Sequence, residues 1–398
     1  MADKNQSVLL EILKEGYQKV FYTNWPAWLG GILIGIMSII TFIWARPWGV
    51  AGGLRNWGDN FFHLIGLYSD PVKSPLLSSS SLLSLGLLIG AFASSLLAKE
   101  FAIRKAPPLE LIKGIIGGIL MGIGASMAGG CNVGGFFSAT SAMSLSGPCM
   151  MVGLIFGAYL GLRYLYWELE RFPTATSSQQ IESQEGKKAN LRDIEPYIGL
   201  LVVILSIIGV IIYNKMAYTI LGGLYLCGFM FGLIIQRTRL CFVRCFREPF
   251  MTGEAEVTKA VVYAVIISLI GFAIIKWLGF RREYVYVPSA FWVGGLLGGV
   301  IFGFGMVIAG GCGSGSLWRC GEGQVKLFLA VIFFSLSISL FEKFTAKHPA
   351  FQKFLGKKVF LPHYLNYKWS VILIIAFMLI YYLWACWNEK TEKFVIEL

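Results

Sequence analysis

Residues 114–131 read GIIGGILMGIGASMAGGC, and residues 295–312 read GLLGGVIFGFGMVIAGGC. At a fixed offset of 181, nine of the 18 positions are identical: seven glycines, one alanine and one cysteine. Glycine is frequent in this chain, yet a shared closing AGGC in one register marks an internal duplication. Gly114, Gly118, Gly122, Ser126 and Gly130 recur every fourth residue, as do Gly295, Gly299, Gly303 and, after a gap, Gly311. Small residues at that spacing line one helix face and let two membrane helices approach closely. Taken singly, these glycines need no role beyond packing. Gly129-Gly130-Cys131 and Gly310-Gly311-Cys312 differ, because two glycines before a cysteine break the helix there. Small and polar residues follow: Asn132-Val133-Gly134-Gly135 and Gly313-Ser314-Gly315-Ser316.

Composition identifies the solvent around these segments. Of 398 residues, 56% are hydrophobic and only 14% charged, with 15% aromatic residues and 47 glycines. The mean hydropathy is +0.67. Soluble domains sit near half apolar and a quarter charged. These values exclude a soluble two-domain enzyme, a disordered chain and a fibrous repeat, and they point to a polytopic membrane protein. Ten stretches are long and apolar enough to cross: 28–44, 76–97, 114–130, 148–167, 197–213, 218–236, 259–279, 290–309, 325–342 and 369–387. Apolar pieces at 54–68, 133–145, 241–251 and 312–320 are too short. They suit half-helices whose backbone is buried in protein or lines a wet cavity.

The expected fold class is an all-α polytopic membrane protein. Residues 1–24 form an amphipathic N-terminal segment with charges of both signs and no cleavable apolar core. A first membrane half covers 25–171. The polar stretch 172–196, containing PTATSSQQIESQEGKKANLRD, reads as a linker leading into the span at 197–213. A second half covers 218–342, and 343–398 hold a polar loop, the final span and a C-terminal tail. Five spans per half is an odd number and inverts the second half relative to the first. The broken helices at Cys131 and Cys312 then meet near the midplane, a transporter architecture. Loop charge favours an inner N-terminus; the six lysines from Lys343 to Lys368 are the exception. The formal net charge of +12 orients loops and attracts anions. Its basic residues are scattered, which argues against nucleic acid as a partner.

The eight cysteines (Cys131, Cys149, Cys227, Cys241, Cys245, Cys312, Cys320 and Cys386) lie mostly in apolar, glycine-rich surroundings, so reduced thiols are expected. A third motif, QRTRLCFVRCFRE at 236–248, sets Arg237 and Arg239 just before Cys241, directly after a span. Arginine beside a thiol makes an anion-attracting spot; loop-orienting charge is the plainer explanation. The counterpart in the first half is WARPWGVAGGLR at 44–55, where an offset of 192 aligns Gly49 with Cys241. On that alignment the third thiol exists in one half only.

The paired AGGC segments, the QRTRLCFVRCFREPF run and the trailing SLWRCGEGQ resemble the YeeE/YedE family of sulfur-related membrane transporters, from about Trp28 to Trp387. The layout is most similar to the YedE branch, in which an NVGGFF-like sequence follows the first Gly-Cys. In YeeE members the halves come in the opposite order. The resemblance implies an hourglass-shaped inverted repeat with half-embedded helices around a narrow waist. It also implies thiosulfate passage along cysteines that offer S–H contacts to the ion. Matched motif by motif, it points to Cys131, Cys312 and Cys241. The substrate pathway then also includes Gly129, Gly130 and Asn132 on one arm, and Gly310, Gly311, Gly313 and Ser314 on the other. The implied protein has no cofactor or metal and sits in the bacterial inner membrane. Its partners are the lipid bilayer, a small inorganic anion and a cytoplasmic sulfur-carrier protein. The YedE branch is also associated with selenium metabolism, so a selenium compound or another sulfur species is the alternative cargo. Cys320 departs from the pattern, standing where an ordinary small residue is expected.

Thiols suit such an ion. Thiosulfate is a dianion with three hard oxygens and one soft terminal sulfur, and it cannot cross a bilayer centre uncompensated. Backbone N–H groups at broken helix ends serve oxygens, while a thiol is a weak, polarizable donor to sulfur. Weak contacts favour release. The thiols must stay protonated, and apolar burial favours the neutral form. Arg237, Arg239 and, near the Cys312 arm, Arg319 are the anion-attracting candidates. A metal transporter using Cys131, Cys241, Cys245 and Cys312 is the main rival, but His63, His348 and His363 lie outside the motifs and no CxxC is present. An enzyme lacks a Cys-His pair, and an inert scaffold leaves the duplicated breaks unexplained. Glu168, Glu170 and Glu342 read as interface charges, and no nucleotide-binding GxxxxGKS occurs.

Overall fold

The computed structural model describes residues 15–171 and 189–396. Among these every regular element is helical. The long helices are α1 (Ala27–Trp44), α3 (Ser79–Leu97), α4 (Pro108–Ala128), α5 (Ser146–Arg171), α6 (Ala189–Lys215), α7 (Thr219–Thr238), α9 (Glu256–Trp277), α10 (Val293–Ala309), α12 (Val325–Lys347) and α14 (Pro362–Thr391). Short helices sit between them: α2 (Ala51–Leu64), α8 (Phe242–Met251), α11 (Gly313–Gly321) and α13 (Pro349–Leu355), with a π-type turn at Asn132–Ser138. Ten segments of the described residues have the length and apolarity to cross a membrane. The pieces too short to cross are the short helices, as their lengths required.

Glycine explains the central packing. A Cβ on Gly117 would lie 2.6 Å from the Gly305 carbonyl oxygen, and one on Gly124 2.6 Å from that of Gly298. Thus α4 meets α10 backbone to backbone. The other glycine face of α4 meets α12, where a Cβ on Gly118 would sit 2.5 Å from the Ala330 oxygen. On α10 the residues Gly299 and Gly303 face α5, at 2.6 Å from the Met150 oxygen and 2.7 Å from the Leu154 oxygen. The result is a slab in the order α12, α4, α10, α5. The four-residue glycine period therefore describes only one face of each helix; a second set, Gly117 and Gly124 with Gly298 and Gly305, makes the contact between the two duplicated helices.

Beside the slab, α3 packs on α7 and α1 on α9, while α6 and α14 flank α3 and α9. Only 11% of the apolar window of α6 is buried, so this helix turns most of its surface to lipid. Of the amphipathic N-terminal segment, residues 1–14 lie outside the described residues. Gln18–Tyr22 is helical, and the Tyr17 hydroxyl donates to the Leu97 carbonyl at 2.5 Å. Of the linker, 172–188 lies outside the described residues, but 189–196 is already helix. The span thus starts earlier than its apolar run, with Lys99 paired to Asp193 at 2.9 Å.

Candidate functional site: three thiols at three helix breaks

Each candidate thiol stands where a long helix stops and a short one starts. Helix α4 ends at Ala128, and Gly129 takes the left-handed conformation (φ 74°). Helix α10 ends at Ala309, with Gly310 at φ 79°. Glycine supplies that turn at no steric cost and lets the last carbonyls be satisfied. Helix α7 ends at Thr238 with Arg239 at φ 53°, the same turn without glycine. Cys131, Cys241 and Cys312 then have extended backbones and cap the short helices that follow. Their carbonyls accept from Gly135 N at 2.5 Å, Cys245 N at 3.1 Å and Ser316 N at 2.7 Å. The Cys312 sulfur also accepts from Gly315 N at 3.3 Å and lies 3.7 Å from the Ser314 hydroxyl.

The fold brings these thiols together. A Cβ on Gly313 would lie 3.5 Å from the Cys131 sulfur; one on Gly315 would lie 3.0 Å from the Cys312 sulfur and 3.4 Å from that of Cys241. Gly315 therefore stands between the sulfurs of Cys241 and Cys312. Cys131, Cys241 and Cys312 are at most 1% exposed. Both polar atoms of Asn132, fully buried, lack a hydrogen-bond partner among the described residues. Such an orphan amide costs about 1–3 kcal/mol unless something else meets it. All eight cysteines are free. No group of three or more His, Cys, Asp or Glu among the described residues is arranged to hold a metal. Gly130 and Gly311 complete the breaks. A Cβ on Gly311 would meet the Ser316 hydroxyl at 2.8 Å.

The arginines occupy one end of this row. Arg237 is fully buried and pairs with Glu100 at 2.5 Å. Arg239 bridges Glu100 at 2.7 Å and Glu322 at 2.5 Å. Gln236 donates to Glu100 at 2.8 Å and Glu322 at 3.0 Å, and Arg104 stands 3.7 Å from Glu322. The positive charge read from RTRLC is therefore matched by carboxylates from the α3–α4 connection and the end of α11. Neither acid announces itself in the sequence, because each pairs with residues more than 80 positions away. Arg319 donates to the Gly310 carbonyl at 2.5 Å and lies 5.1 Å over Trp318, close enough to act on Cys241.

At the opposite end, a cleft of about 200 Å³ opens beside Gly129, lined by Ser126, Ser289, Ala290, Glu342 and Thr345. Glu342 is paired there with Arg55 at 2.6 Å. Buried, unlinked thiols thus stand at both breaks of the duplicated motif, in a chain with ten membrane-length helices among its described residues. Residues 4–160 and 237–397 match the family described as Sulphur transport. The chain belongs to this family. It is 31% identical to the probable transporter YedE of Escherichia coli (strain K12) over 307 residues, 74% of this chain and 75% of that protein. It is 35% identical to the thiosulfate transporter TsuA of Spirochaeta thermophila over 111 residues, 28% of this chain and 33% of that one. Over 180 residues it is 30% identical to the thiosulfate transporter TsuA of Escherichia coli (strain K12), covering 43% of this chain and 47% of that one. This member of the sulfur-transport family is a multi-pass transporter of the bacterial inner membrane, as its ten membrane-length helices and its relatives together require.

Proposed function

We propose that the chain is a permease for thiosulfate, passed from Cys131 to Cys312 to Cys241. The observation that carries this reading is the row itself. Three segments far apart in sequence converge on three buried thiols separated by glycines, beside an amide with nothing to bind. The thiols offer S–H donors to the ion's terminal sulfur and the amide meets an oxygen, each contact weak enough to release. Gly129, Gly130, Gly310 and Gly311 make the breaks that aim the thiols inward; Gly313 and Ser314 line the step between them. A cytoplasmic sulfur-carrier protein that receives the released ion belongs to the same reading.

The two halves, each of five crossings, are on this reading an inverted repeat. Reciprocal packing supports it: α4 on α12 answers α10 on α5, α3 on α7 answers α9 on α1, and α6 on α3 answers α14 on α9. Radiolabelled thiosulfate uptake into proteoliposomes tests the function, with sulfite, sulfide and selenite as competitors. Cys131→Ala and Cys312→Ala should each abolish uptake while the purified protein keeps its melting transition. Unchanged uptake in both variants sinks the proposal; uptake competed out by selenite but not by sulfite moves the cargo to selenium.

A further inference from the structure

Five long helices lead directly into short ones: the junctions after α4, α7 and α10 carry a cysteine, that after α12 carries His348, and that after α1 carries neither. Between α1 and α2 the chain reads Ala45-Arg46-Pro47-Trp48-Gly49-Val50, with Gly49 at the position that aligns with Cys241. The space a side chain on Gly49 would need is filled by the Tyr286 hydroxyl. The same hydroxyl lies 2.8 Å from where a Cβ on Gly134 would stand, three residues beyond Cys131. Tyr286 arrives from the α9–α10 connection in a left-handed conformation, φ 64°. A tyrosine held there costs about 1 kcal/mol or more, and it persists only where surrounding contacts impose it. The Arg46 guanidinium acts on it through space, while burial pushes the phenol up, so it keeps its proton and stays a donor.

Arg46 donates to the Ser80 hydroxyl, to Ser79 at 3.5 Å and to the Pro47 carbonyl at 3.4 Å. Nearby, Lys276 donates to the Ala142 carbonyl at 2.8 Å, and Arg281 to the carbonyls of Ile43 at 2.8 Å and Phe42 at 3.2 Å. Among the described residues none of these partners is a carboxylate, although Glu283 acts on Lys276 through space. Arg46 and Arg281 thus keep charge that Arg237 and Arg239 at the other end have given to Glu100 and Glu322.

We propose that Arg46 and the Tyr286 hydroxyl form a capture site for the oxygens of a small tetrahedral oxyanion, one step before Cys131. A guanidinium and a phenol are hard donors suited to oxygen, and they replace the soft thiol at the one junction where the ion still carries most of its hydration. Because the Tyr286 hydroxyl fills the space beside Gly49 and Gly134, its ring must swing for the ion to advance. This inference rests on the cysteine row for its direction, but its test does not. Uptake kinetics are measured in proteoliposomes for Tyr286→Phe, Arg46→Gln and Arg46→Lys, with sulfate as a second probe that competes through its oxygens alone. Removing one hydrogen bond to an anion should raise KM for thiosulfate about tenfold in Tyr286→Phe, with kcat kept within about twofold. Arg46→Gln should raise KM further and abolish competition by sulfate, and Arg46→Lys should restore part of both. KM and sulfate competition unchanged in Tyr286→Phe and Arg46→Gln, while Cys131→Ala still abolishes uptake, overturns the capture site and leaves the cysteine row standing. The reverse pattern removes the row and keeps the capture site.

Discussion

Gly313 sits in the step between two thiols. A methyl group there would lie 3.3 Å from the Phe334 ring, 3.4 Å from Cys131 Cβ and 3.5 Å from its sulfur. The ring can yield by a few tenths of an ångström, so Gly313→Ala should fold with little loss of stability. If the proposed pathway holds, it should nevertheless lower uptake turnover about tenfold, because it narrows the step between two pathway thiols. Stopped-flow or filter uptake beside a melting curve separates the two effects; equal losses in both would make Gly313 a packing residue only. Cys131 and Cys312 could be picked from sequence because each follows a helix-breaking Gly-Gly pair, and Cys241 because two arginines precede it directly after a span. Asn132 could be picked by adjacency. Tyr286 could not, since a tyrosine in a polar connection has no signature, and its place opposite Gly49 exists only once the α9–α10 connection folds across α1.

At the scale of elements, the charged cluster ties three pieces together. Glu100 follows α3, Arg237 and Arg239 end α7, and Glu322 caps α11. Arg237 is fully buried, so removing Glu100 leaves its charge without a directly paired carboxylate. Glu100→Ala should therefore cost about 3 kcal/mol, the usual penalty for half a buried ion pair. Chemical unfolding in mild detergent measures it; a loss under about 1 kcal/mol would mean that Glu322 alone neutralises both arginines. The helices themselves were legible because their apolar runs match a bilayer's thickness. Their partners were only half legible. The period-four glycines announce a flat face, but whether that face meets a copy of itself or another helix depends on the second set, at Gly117 and Gly124. Those residues stand seven apart, two helical turns, a spacing that the four-residue period hides.

For the whole molecule, ten crossings is an even number, which puts both termini on one side. The expectation from loop charge is that this side faces the cytoplasm. Reporter fusions at each end, one active only inside and one only outside, should both report an inner location. Opposite locations for the two ends would remove one crossing, with α6 the first suspect because so little of it is buried. The duplication was readable from two AGGC segments, yet the asymmetry was not. One mouth holds cations matched by Glu100 and Glu322, and the other holds Arg46, Lys276 and Arg281 on hydroxyls and carbonyls. Linear charge counting sees only the surplus of +12, not where acids subtract from it.

The glycine contacts through α12, α4, α10 and α5 also have a mechanical meaning. Dispersion attraction decays within about 1 Å of added separation. Four rods touching carbonyl to Cα along their lengths therefore form a keel, with no soft layer of side chains to shear. Rocking one rod against its neighbour would forfeit contacts over several turns at once. On the proposed pathway the moving parts must then be small ones hung on a rigid frame: an aromatic ring, an amide, a rotating thiol. Such a machine works as a turnstile set in masonry, and its speed depends on how freely those few side chains turn.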